Sequence, residues 1–191
     1  MEPKKITYND HTLFHLLRHF ESLNDAARAC LWNRGYRENT IQEAIKMPGS
    51  KFYASFANDI KSLEQQLCLG QMKDSFVQNG YLHDNLEFDQ SLFPKGIGSL
   101  GIAAINDLKA MGITKFEWKQ NRGLELCHAK MNTLPSTNSM TLVLKYQKNY
   151  QLLITAFPGY GVLPVPNKGM SAPFFQECEL FWQNHAFLEL A

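Results

Sequence analysis

The chain has 191 residues with 45% apolar and 19% charged side chains, enough to bury a core and too apolar for wholesale disorder. Nineteen basic residues against eighteen acidic ones leave a net charge of +1, which by itself names no partner. No apolar run approaches the roughly 18–20 residues of a membrane helix, and Met1-Glu2-Pro3-Lys4-Lys5 leads into polar sequence rather than the apolar stretch of a secretory signal. The expected location is therefore the cytoplasm, or a target cell reached without a cleavable signal peptide.

The first half reads as helix. Leu13, Leu16, Leu17, Phe20, Leu23, Ala27 and Leu31 recur at spacings of three and four, one stripe of a helix from His11 onward. Asn9 or Asp10 can cap its start, and Asn24 and Asp25 can begin a second helix that splits the segment. Asn39-Thr40 can open a short helix through Lys46, Met47-Pro48-Gly49-Ser50 makes a turn, and Phe52, Phe56, Ile60, Leu63 and Leu67 predict a helix over 51–69. The glycines, aspartates and proline between residues 70 and 98 predict an irregular boundary. We therefore expect a helical region, 1–95, serving as an adaptor or regulator, followed by a second domain, 96–191.

In the second half the period changes. Ser99 can cap a helix closed by Gly112. Strands are then expected over 113–120, 124–130, 140–146 and 150–157, with a turn at Asn149, before a closing helix over 174–190. The fold class is α+β: a helix, an antiparallel meander of about four strands and a final helix. Cys30, Cys68, Cys127 and Cys178 are scattered with no C-x-x-C pair, which favours free thiols over a zinc site.

Charge is unevenly distributed. Residues 1–111 carry 12 basic and 13 acidic groups, 112–170 carry 7 and 2, and 171–191 carry none and 3. The basic window holds Lys115, Lys119, Arg122, Lys130, Lys145, Lys148 and Lys168. A local positive field of this kind draws phosphates, and a solvated basic surface would look the same.

Alternation sorts the strand residues by face. Leu124, Leu126, His128 and Lys130 share one face, Glu125, Cys127 and Ala129 the other. An imidazole two residues from an ammonium suits phosphodiester chemistry: the first moves a proton near neutral pH, the second stabilises charge on phosphate oxygens. A half-exposed strand end would carry the same pair. In the last strand Leu153, Thr155 and Phe157 share a face, and Thr155 is the one polar residue of an apolar run. It either satisfies a local hydrogen bond or presents its hydroxyl to a phosphate. The hydroxyl- and amide-rich loop 131–139 offers Thr133 as a further contact. His11, His15 and His19, at i, i+4 and i+8, form a row on one helix, read as surface- or groove-facing rather than as a metal site, because no H-E-x-x-H accompanies them. No nucleophile elbow and no phosphate loop is present, and the partial glycine pattern at 96–101 lacks the strand that a dinucleotide site needs.

The segment Leu152-Leu153-Ile154-Thr155-Ala156-Phe157-Pro158-Gly159, after the strand Thr141–Tyr146, resembles the terminal strands of bacterial ribonuclease toxin domains. Two groups are similar: the barnase, EndoU, colicin and RelE-like superfamily, and the pancreatic-ribonuclease-like toxins of contact-dependent inhibition systems. The resemblance spans roughly 113–188. It implies Thr155 as catalytic or phosphate-binding, and it places Phe157 where a tyrosine is common, a role that Tyr146 or Tyr160 could take. In the pancreatic-like group His11 or His15 would act with Thr155; in the first group, which the helix–meander order favours, His128 and Lys130 take that part. The expected function is a metal-independent endoribonuclease of toxin or effector type, with His128, Lys130 and Thr155 catalytic and Thr133, Lys145 and Tyr146 binding substrate. RNA is the expected partner, with a cognate inhibitor protein as a second, no membrane and no cofactor. The rival is a non-catalytic protein-interaction module with a degenerate nuclease-like domain.

Overall fold

The computed structural model describes residues 6, 7, 9–121, 123–147 and 150–191. The turn expected at Asn149, the basic residues Arg122 and Lys148, and the His11 side chain lie outside this description. Mixed helix and sheet of the α+β class is present. The chain forms two compact units, neither of them contiguous: one runs to Ser99 and resumes over Ser136–Tyr160, the other comprises Leu100–Pro135 and Gly161–Ala191. The expected boundary at residue 95 is thus corrected. The four strands expected to form one meander also divide between separate sheets, the first two in one and the last two in another.

The first unit starts with β1 (Ile6–Thr7) and α1 (Asp10–Leu17), whose N-cap Asn9 accepts from the Thr12 amide at 3.0 Å. Asn24 does split the helical segment: it caps α2 (Asp25–Asn33), accepting from the Ala27 amide at 2.7 Å. Then come α3 (Glu38–Lys46), β2 (Lys51–Phe52) and α4 (Ile60–Leu67). The helix expected over 51–69 therefore begins nine residues late. Lys51 and Phe52 are held extended because the Phe52 amide donates to the His19 carbonyl at 2.7 Å and the Phe52 carbonyl accepts from the Glu21 amide at 3.0 Å. Asp59 then caps α4 in a reciprocal capping box with Ser62, and Asn24 donates to that same aspartate at 2.9 Å, joining the starts of two helices.

The stretch expected to be irregular is a hairpin, β3 (Gln71–Gln78) and β4 (Tyr81–Glu87). Its two-residue loop is Asn79-Gly80, both with positive φ (50° and 78°), a turn that matches the twist of paired strands. This signal stood in the sequence, hidden among other turn formers. With β10 (Ser139–Tyr146) and β11 (Gln151–Pro158) these strands make a five-stranded sheet of order β1-β11-β10-β4-β3, antiparallel except for β1 on β11. Short β5 (Gly98–Ser99) and β9 (Ser136–Thr137) join β2 in a small sheet. Gly98 is no part of a dinucleotide motif: a Cβ there would run into the Lys51 carbonyl and the Pro158 ring. Leu16, Leu17, Phe20, Leu31, Ile41, Phe52, Leu63, Ile97, Met140 and Leu144 lie essentially without exposure in one core cluster.

The second unit has a four-stranded sheet, β6-β12-β8-β7: β6 (Ile102–Ala104), β7 (Phe116–Asn121), β8 (Leu124–Met131) and β12 (His185–Leu190). The helix expected from Ser99 is reduced to α5 (Ile105–Ala110), with Gly112 beyond it at φ +81°. The expected closing helix stops as α6 (Ala172–Asn184), and its tail becomes β12, parallel to β8 and antiparallel to β6. Burial explains the switch. Ala186 and Leu188 enter a core with Cys127, Ala129, Met131 and Leu108 of α5, an alternation that only a strand can supply. On the opposite face the Trp182 ring of α6 lies 4.5 Å from that of Phe187. All four cysteines are free; Cys127 and Cys178 are buried. Among the described residues no helix is long and apolar enough to cross a membrane.

Candidate active site

Strand alternation in β8 is as expected. Cys127, Ala129 and Met131 fill the core, while His128 and Lys130 occupy the other face. The neighbours of that face come from register. Glu117 of β7 and Phe187 of β12 stand opposite His128, and Glu189 of β12 stands opposite Lys130. Lys119, two residues from Glu117 on β7, joins them.

Glu189 is the hub. Its Oε1 lies 2.7 Å from His128 Nδ1, and its Oε2 accepts from Lys130 Nζ at 2.7 Å and from Lys119 Nζ at 3.1 Å. Lys119 also approaches Glu117 at 3.7 Å. Burial pushes the Glu189 carboxyl up, but hydrogen bonds from Lys130, His128 and Lys119 outweigh it and hold the carboxyl at about 2. The bond to Glu189 likewise raises the Lys130 ammonium above its ordinary value. Both groups are thus charged at neutral pH.

An ionised carboxylate only accepts, so the proton of this 2.7 Å bond sits on His128 Nδ1 whether the ring is neutral or charged. Proton exchange is left to Nε2, which makes no hydrogen bond among the described residues. The ring is 10% exposed in its side chain, with the Phe187 ring 5.3 Å away. Glu189 therefore fixes the tautomer and plane of the imidazole, while Lys119 and Lys130 set two ammonium groups beside it.

Thr133 is exposed on the loop directly after β8, in the same unit. The other expected site residues are elsewhere. Thr155 is on β11, and Lys145 and Tyr146 are exposed at the end of β10, all in the first unit. The expectation that β8 and β11 are neighbouring strands is corrected: they are members of different sheets, in different units. The Thr155 hydroxyl is moreover buried and without a hydrogen-bond partner among the described residues, out of reach of a phosphate in solution. A bulge contributes to this misreading. Val143 pairs with Thr155 and Leu144 with Leu153, so Ile154 is an extra residue, and Leu153 and Ala156 both enter the core while Thr155 does not. Tyr160, considered as a source of a phenol, donates to the Leu86 carbonyl at 3.0 Å, and burial together with Glu87 and Asp74 pushes its hydroxyl up to about 12.

Of the histidine row, His15 and His19 are bound to arginine. Arg18 donates from Nε to His19 Nε2 and from Nη2 to His15 Nε2, each at 3.1 Å. A guanidinium can only donate, so both nitrogens spend on it the lone pairs that a metal would need. Among the described residues no group of three or more His, Cys, Asp or Glu is arranged to hold a metal ion.

Glu189 and Glu117 were not singled out from sequence, and Lys119 only as one member of the basic window. The available signal was the alternation Ala186-Phe187-Leu188-Glu189, small or apolar inward and ring or charge outward. The aromatic helix before it masked that signal. No family model, no curated protein and no solved structure matches the chain.

Proposed function

We propose that the unit bearing His128 is a metal-independent endoribonuclease. The observation that carries this reading is the 2.7 Å bond from His128 to Glu189 with two lysine ammoniums on the same carboxylate. His128 Nε2 removes the proton from a ribose 2′-hydroxyl, and the 2′-oxygen bonds to the adjacent phosphorus. The bond from phosphorus to the 5′-oxygen breaks, and that oxygen leaves with a proton from water. The products are a 2′,3′-cyclic phosphate and a 5′-hydroxyl. Lys130 and Lys119 lie beside the imidazole, where they neutralise charge gathering on the non-bridging oxygens. Glu189 positions His128 and stabilises the imidazolium, and Thr133, on the loop after β8, is a further candidate contact for substrate. Thr155 has no part in this scheme.

The test is cleavage of total RNA by the purified chain in EDTA. Wild type should cut, while His128→Ala should leave RNA intact. Uncut RNA with wild type, or equal cutting by the variant, contradicts the reading. A second reading, a non-catalytic protein-interaction module, is favoured by one observation: Glu189 bonds His128, Lys119 and Lys130 at once, as the hub of a purely structural network would. A stable protein partner together with inert wild-type protein would select it.

A further inference from the structure

The first unit holds a second cluster of basic groups, and nothing in the nuclease reading uses it. Arg18 is the C-cap residue of α1, and it is half-buried. Its guanidinium has two forks for bidentate bonding. The fork made by Nε and one N–H of Nη2 is consumed by His19 and His15. The second fork, Nη1 with the remaining N–H of Nη2, has no acceptor among the described residues, and Arg18 makes no salt bridge there.

The surroundings are uniformly basic. His19 is buried; its Nε2 accepts from Arg18 and its Nδ1 donates to the Ser50 carbonyl at 3.1 Å, so both ring nitrogens are committed and the ring is held as a neutral positioning group. The Phe157 ring, 5.7 Å away, packs against it. Lys51, the next residue after Ser50, donates to the Ile45 carbonyl at 2.7 Å and to the Arg18 carbonyl, which leaves one N–H over. Burial, and after it the nearby Arg18 charge, lowers the Lys51 ammonium to about 8. A partly desolvated arginine and lysine side by side, with carbonyls and imidazoles but no carboxylate among the described residues, are short of one negative charge.

We propose that Arg18 and Lys51 form an oxyanion site for a phosphate group, received bidentate on the outer fork of Arg18. Two imidazoles hold that fork's plane, so little side-chain freedom is lost on binding. A tetrahedral dianion suits the pair better than a carboxylate, since it presents further oxygens to Lys51 after the fork is filled. The site is independent of the nuclease reading: its residues belong to the other unit and none of them acts on RNA in that scheme.

The experiment is calorimetric titration of the full chain at fixed ionic strength with inorganic phosphate and, in a parallel arm, adenosine 5′-monophosphate. One equivalent should bind with Kd of about 1 mM or tighter. Tighter binding of the nucleotide identifies a phosphomonoester as the ligand; equal or weaker binding identifies free phosphate. Arg18→Gln should weaken binding tenfold or more, and Arg18→Lys, which keeps the charge and loses the fork, should weaken it nearly as much. Lys95→Gln, an exposed charge elsewhere, should leave it unchanged. Circular dichroism of each variant establishes that it is folded, and the wild-type titration stands apart from the variants. No binding to wild type, or binding that Arg18→Gln and Arg18→Lys leave intact, overturns the proposal.

Discussion

Two histidines of this chain have opposite neighbours. His128 faces the carboxylate of Glu189 at 2.7 Å, whereas His19 faces the guanidinium of Arg18 at 3.1 Å. A carboxylate fixes the proton on Nδ1 and leaves Nε2 to gain or lose one. A guanidinium, which can only donate, demands a lone pair on Nε2 and opposes any charge on the ring. Burial, and after it the Arg18 charge, holds the His19 ring well below its ordinary pKa. The same side chain thus keeps Nε2 without a hydrogen bond among the described residues in one unit and is held as a neutral acceptor in the other. The neighbour decides which: Arg18 adjoins His19 in the sequence, whereas Glu189 lies 61 residues from His128.

The largest expected effect breaks the first half of the contrast. His128→Ala should lower RNA cleavage by about 10²–10⁴-fold, the usual contribution of a general base, read from initial rates on a short oligoribonucleotide. Next comes Glu189→Gln, which keeps the shape and removes the charge shared by His128, Lys119 and Lys130. It should cost about 1–3 kcal/mol of stability in denaturant titration, since it leaves partly buried donors without their anion, and it should lower the cleavage rate as well.

Acid separates the two units. The His19 pKa is depressed in the folded chain, so the unfolded chain binds the proton more readily as pH falls through about 6.5. That unit should lose stability from near pH 6.5 downward, by at most about 1.4 kcal/mol per pH unit for one proton. His15, Arg18 and Lys51 all face the ring and add no negative charge to offset this. The Glu189 contribution is fully present above 4.5 and is lost only as pH falls toward about 2. Hydrogen exchange followed against pH should therefore show the first unit loosening at milder acid than the second. Loosening in the reverse order would contradict the assignment.

The smallest expected effect concerns Thr155. Its buried hydroxyl has no partner among the described residues, so Thr155→Val should be neutral or stabilising by up to about 1 kcal/mol. RNA cleavage should not change. A large loss of activity in that variant would restore Thr155 to the site.

The parts legible in sequence were those whose pattern is local. The caps at Asn9 and Asn24 and the face of β8 that carries His128 and Lys130 needed only spacing. The Asn79-Gly80 hairpin was equally local, yet it was read as mere punctuation among the other turn formers. The rest depends on partners far along the chain. Glu189 meets His128 because β12 lies parallel to β8 across 61 residues, and an aromatic run that fits a helix as readily as a strand gives no hint of this. Thr155 looked well placed because a period of two was assumed, and the bulge at Ile154 breaks that period.

The most direct test of the central claim is analysis of the ends produced from a single RNA oligonucleotide in EDTA. Wild type should leave 2′,3′-cyclic phosphate and 5′-hydroxyl termini, should spare the same strand carrying 2′-deoxyribose at the cleaved position, and should lose both products in His128→Ala. Intact RNA, or cutting that continues at the deoxyribose or without the imidazole, would contradict the account.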